Sequence, residues 1–286
     1  MTPTAKRPGA SQQPASAGAR MRLAILGGGK IGEALLSGLL RGPMAVDQIV
    51  VSEHNPDRAS YLAQTYSVPA VSVEDAVNTC DVLLIAVKPQ DIMTLLAEIA
   101  PHARDQVVIS VAAGITTKRI EAGLPAGMPV VRTMPNTPAL VDQAMTAISP
   151  GTHATEEHLA AAESVLASVG RVIRVPESQL DAVTALSGSG PAYFFFLVEA
   201  MIDAGILLGL PRTVAAELIV QTALGSATML RDTGEHPVQL REAVTSPGGT
   251  TIMAIRELER HGVRAALLAA IEAARDRSVE LGKADD

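Results

Sequence analysis

Two glycine-rich stretches carry the residues best suited to bind a charged ligand. The first is Gly27-Gly28-Gly29-Lys30-Ile31-Gly32, in which Gly27, Gly29 and Gly32 fit the pattern G-x-G-x-x-G. A β-rich segment precedes it and a helical pattern follows, the context in which this pattern binds the pyrophosphate of a dinucleotide. Its first glycine makes a tight turn, the second admits the phosphates, and the third lets helix and strand pack closely. The sequence therefore predicts a dinucleotide site, the alternative being a loop used only for packing.

The second stretch, Ser246-Pro247-Gly248-Gly249-Thr250-Thr251, interrupts a half of the chain that is otherwise helical in pattern. Inside a helix, proline costs about 3 kcal/mol and each glycine about 1 kcal/mol. The apolar helical period resumes directly after Thr251. The pattern predicts a helix end, a tight turn and a new helix, whose first N–H groups have no partner within the helix and can bind an anion.

An acidic residue, Glu53, lies about twenty positions beyond Gly32, at the end of the second predicted strand. A carboxylate at this place usually bonds the ribose 2′-hydroxyl of NAD and repels a 2′-phosphate. Four neighbouring polar residues are of the kind that receives a phosphate: Ser52, His54, Asn55 and Arg58. The choice between NADH and NADPH therefore stays open, although Glu53 favours NADH.

Two further strand ends are expected at the same crevice. Lys88 follows the predicted strand at 82–87, and the carboxyl ends of central strands face the ligand in such sheets. A solvated lysine is the alternative interpretation. Ala112, Ala113 and Gly114 follow the next strand, and their small size permits backbone contact with a nicotinamide.

The spacing of histidine, cysteine and serine residues gives little support for a metal site or a catalytic nucleophile. The six histidines show no metal-ligand spacing and there is one cysteine, so no metal site is predicted. The segment from Ser187 to Gly190 lacks the strand-turn-helix context of a hydrolase nucleophile. We interpret it as a loop before a helix with Pro191 in its first turn, and Cys80 as a small buried apolar residue.

Strand and helix patterns alternate over the first part of the chain. The elements that they predict would position the candidate site residues. Strands are predicted at 22–26, 48–52, 82–87, 107–111, 130–133, 145–149 and 172–175, with helical periods at 33–40, 56–65, 91–100 and 156–168. Such alternation predicts an α/β fold with a mostly parallel, doubly wound sheet. We predict a Rossmann-type domain at 21–176, an all-α domain at 177–286 with the boundary near Pro176, and a disordered tail at 1–20.

Composition narrows the classes of partner. The chain has 286 residues, of which 48% are apolar and only 2% aromatic, so its core must be aliphatic. A formal net charge of −7 argues against nucleic acid as a partner. The single cysteine excludes an intrachain disulfide and favours a reducing compartment, for which we predict the cytoplasm.

The predicted helices of the second half are apolar on nearly every face. Helices of this kind need cover on several sides, and a partner subunit is the expected cover, with burial against the first domain as the alternative. The most apolar run, at 192–210, contains Glu199 and Asp203. We interpret it as a buried helix and not as a membrane span.

Five segments together resemble the pyrroline-5-carboxylate reductase family and occur in its order over nearly all of residues 22–281. They are ILGGGKIGEALLSGLL, DVLLIAVKPQ, VVRTMPNTPA, ALSGSGPAYFFFLVEAMIDAGILLGL and AVTSPGGTTIMAIRELE, of which the last two are the most specific. The resemblance implies reduction of the cyclic imine 1-pyrroline-5-carboxylate to L-proline with NADPH or NADH, the last step of proline biosynthesis. It also implies a helical domain that interlocks with a second copy, and dimers that assemble into a ring.

The resemblance and the motifs together assign the site residues. The expected cofactor contacts are Leu26, Gly27, Gly28, Gly29, Lys30, Ile31, Gly32, Glu53, Ala86, Val87, Lys88, Pro89, Val111, Ala112 and Ala113. The expected substrate contacts are Ser246, Gly248, Gly249, Thr250 and Thr251, with the Thr251 hydroxyl placed to reach the ring nitrogen as the catalytic group. Where one family pattern has an asparagine that helps bind a 2′-phosphate, this chain has Val73, which argues against a strict NADPH preference.

A protonated imine already accepts hydride well, so the chemistry needs alignment more than acid–base groups. This agrees with the lack of an obvious catalytic histidine or aspartate. Two other functions remain open: another NAD(P)-dependent dehydrogenase of similar build, such as a hydroxyacid or F420-linked enzyme, and a non-catalytic dinucleotide-sensing dimer.

Overall fold

A seven-stranded sheet forms the centre of the first part of the chain in a computed structural model, which describes residues 21–42 and 44–283. The strands are β1 (Leu23–Leu26), β2 (Ile49–Ser52), β3 (Val82–Ile85), β4 (Val107–Ser110), β5 (Val130–Met134), β6 (Ala144–Pro150) and β7 (Gly170–Arg174). Their order is β2-β1-β3-β4-β5-β6-β7. Strands β1 to β5 are parallel, and β6 runs antiparallel to β5. The predicted α/β fold and its strands are confirmed, while the tail predicted at 1–20 lies outside the described residues.

Helices cover both faces of the sheet and form most of the described chain after β7. They are α1 (Lys30–Arg41), α2 (Pro56–Tyr66), α3 (Val73–Thr79), α4 (Ile92–Ile99), α5 (Thr117–Ala122), α6 (Glu156–Leu166), α7 (Leu180–Val183), α8 (Gly190–Leu207), α9 (Arg212–Thr233), α10 (Pro237–Ala243), α11 (Thr250–Arg260) and α12 (Val263–Lys283). The predicted boundary near Pro176 falls between β7 and the helices that follow.

Strands β1 and β3 are apolar and buried on both faces, because helices cover both sides of the sheet there. Leu23 and Ile25 of β1 belong to one core cluster, which includes apolar residues of α1 and α6. Ala24 and Leu26, which point the other way, belong to a second cluster with residues of α3 and α4. This alternation is what a doubly wound sheet requires.

The helices after β7 bury little of their apolar surface within one chain. Phe194, Phe195 and Phe196 of α8 are 64%, 68% and 69% exposed, and Leu218 and Leu224 of α9 are also exposed. The interpretation of 192–210 as a buried helix is therefore wrong for the single chain, and these helices are not covered by the first domain. By length and composition alone, the segments Glu177–Leu207 and Arg212–Thr233 would also suffice to cross a membrane.

Contacts at Glu177, Gly188 and Gly282 join the helical half to the sheet half. Glu177 accepts hydrogen bonds from the backbone N–H and the hydroxyl of Thr117, both at 2.7 Å, and pairs with the buried Arg132 of β5 at 3.1 Å. Met134, at the end of β5, lies where a Cβ added to Gly188 would stand. The last turn of α12 reaches the loop after β4, where Gly282 lies beside Gly114.

Replacing Glu177 with alanine should lower the free energy of unfolding at neutral pH by about 2–3 kcal/mol, because Arg132 then keeps a buried, unpaired charge. Burial alone would raise the pKa of Glu177, but the hydrogen bonds from Thr117 and Arg132 hold it below the ordinary value. A lowered carboxyl pKa stabilises the fold above the unfolded-state pKa, and this contribution is lost as pH falls through the folded-state pKa. Thermal melts from neutral to acidic pH should show the difference between wild type and variant shrinking, whereas a constant difference would contradict the ionic role.

Candidate active site

The glycine loop is the point where β1, β2 and β3 come together. Gly27 donates its N–H to the carbonyl oxygen of Ser52 at 2.8 Å and has a φ of +107°. A Cβ at this position would lie 2.8 Å from the carbonyl carbon and oxygen of Ala86, directly after β3. A glycine is therefore required both by the backbone conformation and by the close approach of the two strand ends.

Helix α1 begins directly after this loop, with Gly29 as its N-cap. A Cβ at Gly29 would meet nothing within 4 Å, so the chain itself does not fill the space in front of the helix N-terminus. At Gly32 the added Cβ would lie 2.2 Å from the carbonyl oxygen of Gly27, which explains the third glycine of the pattern. Open space next to unpaired helical N–H groups fits the pyrophosphate of a dinucleotide.

The end of β2 places Glu53 against this loop. Its Oε2 accepts the N–H of Gly28 at 2.7 Å, and its Oε1 accepts the N–H of Asn55 at 2.9 Å. Asn55 in turn caps α2, because its Oδ1 accepts the N–H groups of Asp57 and Arg58. The carboxylate predicted to face the ribose is thus fixed in place by two backbone donors.

A cavity of about 380 Å³ opens at the carboxyl ends of β1, β2 and β3. The switch in strand order at β1 and β3 is where sheets of this kind bind their ligands. Of the residues predicted to contact a cofactor, Leu26, Gly27, Gly29, Glu53, Ala86, Val87 and Lys88 line it. Gly28, Lys30, Ile31, Gly32, Pro89, Val111, Ala112 and Ala113 do not line this cavity and lie in the loops and the helix start around it.

The cavity has walls that the motifs did not identify. Asp91, Thr94 and Leu95 line it from the turn after β3 and from α4, and Val73 lines it from the first turn of α3. Asp91, Thr94 and Leu95 belong to no recognisable motif. Their position shortly after Lys88 is the only sequence signal that they lie near the cavity. Val73, which the resemblance compares with a family asparagine, thus lies at the cavity as an apolar side chain.

The Ser187–Gly190 segment is not the loop predicted from the sequence. Residues Thr184–Gly188 form a π-helical turn between α7 and α8, in which Ser189 N–H bonds the carbonyl oxygen of Thr184 at 2.8 Å. Asn136, after β5, donates to the carbonyl oxygen and hydroxyl of Ser187, both at 3.2 Å, and accepts the N–H of Met145 at 3.0 Å. The wider turn is tolerated because an interdomain contact holds it, and π-turns of this kind often lie near functional sites.

The second glycine-rich stretch forms the predicted helix end, tight turn and new helix. Helix α10 ends at Ala243, Gly248 has a φ of +69°, and Gly249 is the N-cap of α11. Gly249 donates its N–H to the carbonyl oxygen of Ser246 at 3.1 Å, which closes the turn. Ser246, Gly248 and Thr250 are exposed and Thr251 is half-buried, so the start of α11 lies at the surface of the chain.

The structure shows no cluster of three or more histidine, cysteine, aspartate or glutamate side chains suited to a metal ion within residues 21–42 and 44–283. Cys80 is buried, and burial raises the pKa of its thiol, so it is not activated as a nucleophile.

Comparisons with known proteins match both parts of the chain. The family model described as pyrroline-5-carboxylate reductase dimerisation matches residues 177–281. A second model, NADP oxidoreductase coenzyme F420-dependent, matches residues 22–114. The pyrroline-5-carboxylate reductase of Mycobacterium tuberculosis (strain ATCC 25618 / H37Rv) is 50% identical over 91% of this chain and 96% of its own length. That of Synechocystis sp. (strain ATCC 27184 / PCC 6803 / Kazusa) is 44% identical, over 92% of this chain and 99% of its own.

Solved structures give the same result at the level of the fold. A pyrroline-5-carboxylate reductase from Coxiella burnetii superposes with a TM-score of 0.86 at 35% identity, covering 91% of this chain and 98% of its own. The Plasmodium falciparum pyrroline carboxylate reductase with NADP bound gives a TM-score of 0.84 at 27% identity, covering 92% and 98%. With near-complete coverage at these identities, the chain belongs to the pyrroline-5-carboxylate reductase family.

Proposed function

We propose that this protein reduces 1-pyrroline-5-carboxylate to L-proline, with NADH or NADPH as the hydride donor. One observation carries the proposal: a chain that is 50% identical to a relative of this name has both a dinucleotide-type glycine loop and an exposed helix N-terminus after Ser246-Pro247-Gly248-Gly249. The first feature suits the pyrophosphate of a cofactor. The second suits the carboxylate of a small ring.

The substrate turn supplies binding and orientation. The N–H groups at the start of α11, with the positive end of its dipole, hold the carboxylate of the substrate. We assign the hydroxyl of Thr251, which lies in the first turn of α11, to the ring nitrogen. The bound nicotinamide supplies the hydride. Because a protonated imine accepts hydride readily, the task of these residues is to orient the ring carbon of the C=N bond.

We further propose that each site combines the cofactor loop of one protomer with the substrate turn of its partner. The turn and the cavity at the sheet edge share no lining residue, and α11 packs on α12 within the helical half. A Cβ at Gly248 would meet nothing within 4 Å. The exposed apolar surfaces of α8 and α9 give the second copy a large surface to cover.

Mixed dimers of two impaired variants test this arrangement. A Gly29→Ala chain has an intact turn, and a Thr251→Ala chain has an intact glycine loop. If sites form across protomers, each heterodimer has one wild-type site, and random mixing should restore about a quarter of the wild-type activity. Co-expression with two affinity tags isolates the heterodimer, and activity no higher than that of either parent would place each site within one chain.

The direct assay is oxidation of NADH or NADPH on addition of 1-pyrroline-5-carboxylate. Formation of proline in equal amount confirms the proposed reaction. Reaction with a hydroxyacid or a deazaflavin instead would favour one of the other dehydrogenases. Cofactor binding without turnover of any of these substrates would favour a dinucleotide-sensing dimer.

The assembly is proposed at two levels. Dimers form through the helical half, and they associate further into a ring through the remaining apolar surface, such as the groove that contains Ile255, Leu258 and Leu267. Sedimentation velocity at micromolar concentration should show dimers or larger species, and a stable, active monomer would refute both levels.

A single buried, unpaired cysteine agrees with the cytoplasm as the proposed location.

A further inference from the structure

Two side chains from the second βα unit hold the glycine loop from opposite sides. Glu53 Oε2 accepts the N–H of Gly28 at 2.7 Å, and Arg58 Nε donates to the carbonyl oxygen of the same residue at 2.7 Å. We infer that Glu53 and Arg58 act as one clamp on Gly28. Arg58 is then a positioning residue of the glycine loop and not a receptor for a cofactor 2′-phosphate. The inference rests on the proposed function only in that the loop binds a nicotinamide dinucleotide.

The donors of Arg58 that the structure shows in use bond to Gly28 and Glu33, and neither these two residues nor Arg58 lines the cavity. Besides Gly28, its Nη2 pairs with Glu33 of α1, and its guanidinium lies 5.0 Å from the centroid of the Tyr61 ring. Tyr66 donates its hydroxyl to the other oxygen of Glu33 at 3.0 Å. Turning the guanidinium toward the cavity would break a charge-assisted pair, a hydrogen bond and a cation–π contact together.

The charge state of this cluster supports the same arrangement. Burial alone would raise the pKa of Glu33, but hydrogen bonds from Arg58 and Tyr66 hold it below the ordinary value. Glu33 is therefore ionised at neutral pH and retains Arg58. Since Glu33 lies in the first turn of α1, the ion pair also ties α2 to the helix whose N-terminus faces the cofactor.

The edge of the cavity expected to face the ribose carries the Glu53 carboxylate, beside Ser52 and His54. Asn55 Oδ1 is used as the cap of α2, and Glu53 itself is held by Gly28 and Asn55. His54, which also lines the cavity, lies 3.9 Å from Glu98 and is well exposed. A ribose 2′-hydroxyl can donate to the Glu53 carboxylate, whereas a 2′-phosphate would face a like charge, so the clamp favours NADH.

Calorimetric titration of NADH and of NADPH into the intact protein tests the role of Arg58. In Arg58→Ala, both dissociation constants should rise by the same factor, about tenfold, because the loop is loosened for either cofactor. Arg58→Lys keeps the charge but cannot reach Gly28 and Glu33 together. Its dissociation constants for NADH and NADPH should therefore rise by less, and again by the same factor. Arg41→Ala, which removes an arginine at the opposite end of α1, is the matched control and should change neither constant.

A loss confined to NADPH in either Arg58 variant would overturn the inference and make Arg58 a phosphate ligand. Unchanged binding of both cofactors would also overturn the inference, because Arg58 would then have no effect on the glycine loop. If Arg58→Ala does not fold, as judged by its thermal melt, the lysine variant decides between the same outcomes. Wild-type protein that binds neither cofactor would instead refute the proposed function itself.

Glu53→Gln tests the other arm of the clamp. The amide keeps one acceptor for the backbone N–H groups but removes the charge, so the ratio of NADPH to NADH affinity should rise about tenfold. Glu53→Ser removes both acceptors and should raise that ratio while weakening both cofactors. A ratio that stays at the wild-type value in both variants would show that Glu53 does not face the ribose.

Discussion

Replacing Gly29 with alanine should leave the free protein as stable as wild type and weaken the binding of NADH and NADPH by about a hundredfold, through the loss of two charge-assisted hydrogen bonds. At Gly29 the backbone has a φ of −67°, which alanine adopts freely, and the added methyl group meets no atom of the chain within 4 Å. The methyl group would instead occupy the space at the N-terminus of α1. The pyrophosphate would be displaced from the N–H groups that hold it.

Titration of each cofactor together with a thermal melt of the free protein checks this expectation. Gly27→Ala is the contrasting variant, since its φ of +107° and the 2.8 Å approach to Ala86 predict a loss of stability as well as of binding. Gly29→Ala protein with wild-type affinity would show that the cofactor does not approach the N-terminus of α1. The dinucleotide role of the loop would then be wrong.

Replacing Thr251 with alanine should lower kcat/KM for 1-pyrroline-5-carboxylate ten- to a hundredfold, equivalent to about 1.5–3 kcal/mol for a hydrogen bond to a charged amine. A threonine at the start of a helix can instead serve only as a helix cap. In the structure the N-cap is Gly249, and α11 has no side-chain cap bond, so Thr251 is not the cap. The variant should therefore unfold close to the wild-type temperature.

Thr251→Ser keeps the hydroxyl and should retain most of the activity. Thr233→Ala, at an exposed threonine of α9 that bonds the carbonyl oxygen of Met229, controls for loss of a helical hydroxyl and should have no effect on kcat/KM. A Thr251→Ala enzyme with wild-type kcat/KM would leave the ring nitrogen to another group or to a water molecule.

The sheet was predictable because its strands are short, almost wholly apolar and separated by helical periods. LAIL in β1 and VLLI in β3 are buried at every position. Helices α3 and α5 were not predicted, since seven and six residues are too few to establish a helical period. Their start signals are local: the side chains of Ser72 and Thr116 accept the N–H groups of Asp75 and Arg119.

The cofactor loop was predictable from its pattern, and the directions of the side chains around it were not. The sequence offered Arg58 as a receptor for a 2′-phosphate, because the direction of its side chain depends on how α2 packs beside α1. The walls formed by Thr94 and Leu95 likewise depend on where α4 lies against the sheet. The apolar pattern of α8 showed that cover was needed, but it did not show that the chain's own first domain leaves Phe194 and Phe195 exposed.

The uneven distribution of the core has a consequence for synthesis on the ribosome. Beyond Pro176, the buried apolar residues of the described chain are only Leu180, Ala185 and Ala215. The sheet half emerges first and contains the strands and covering helices that it needs, so we expect it to fold while translation continues. The later helices emerge without their cover, and their association with a second nascent or finished chain then competes with aggregation. Polysome density and chaperone supply, rather than the intrinsic stability of one chain, would set the yield of native protein.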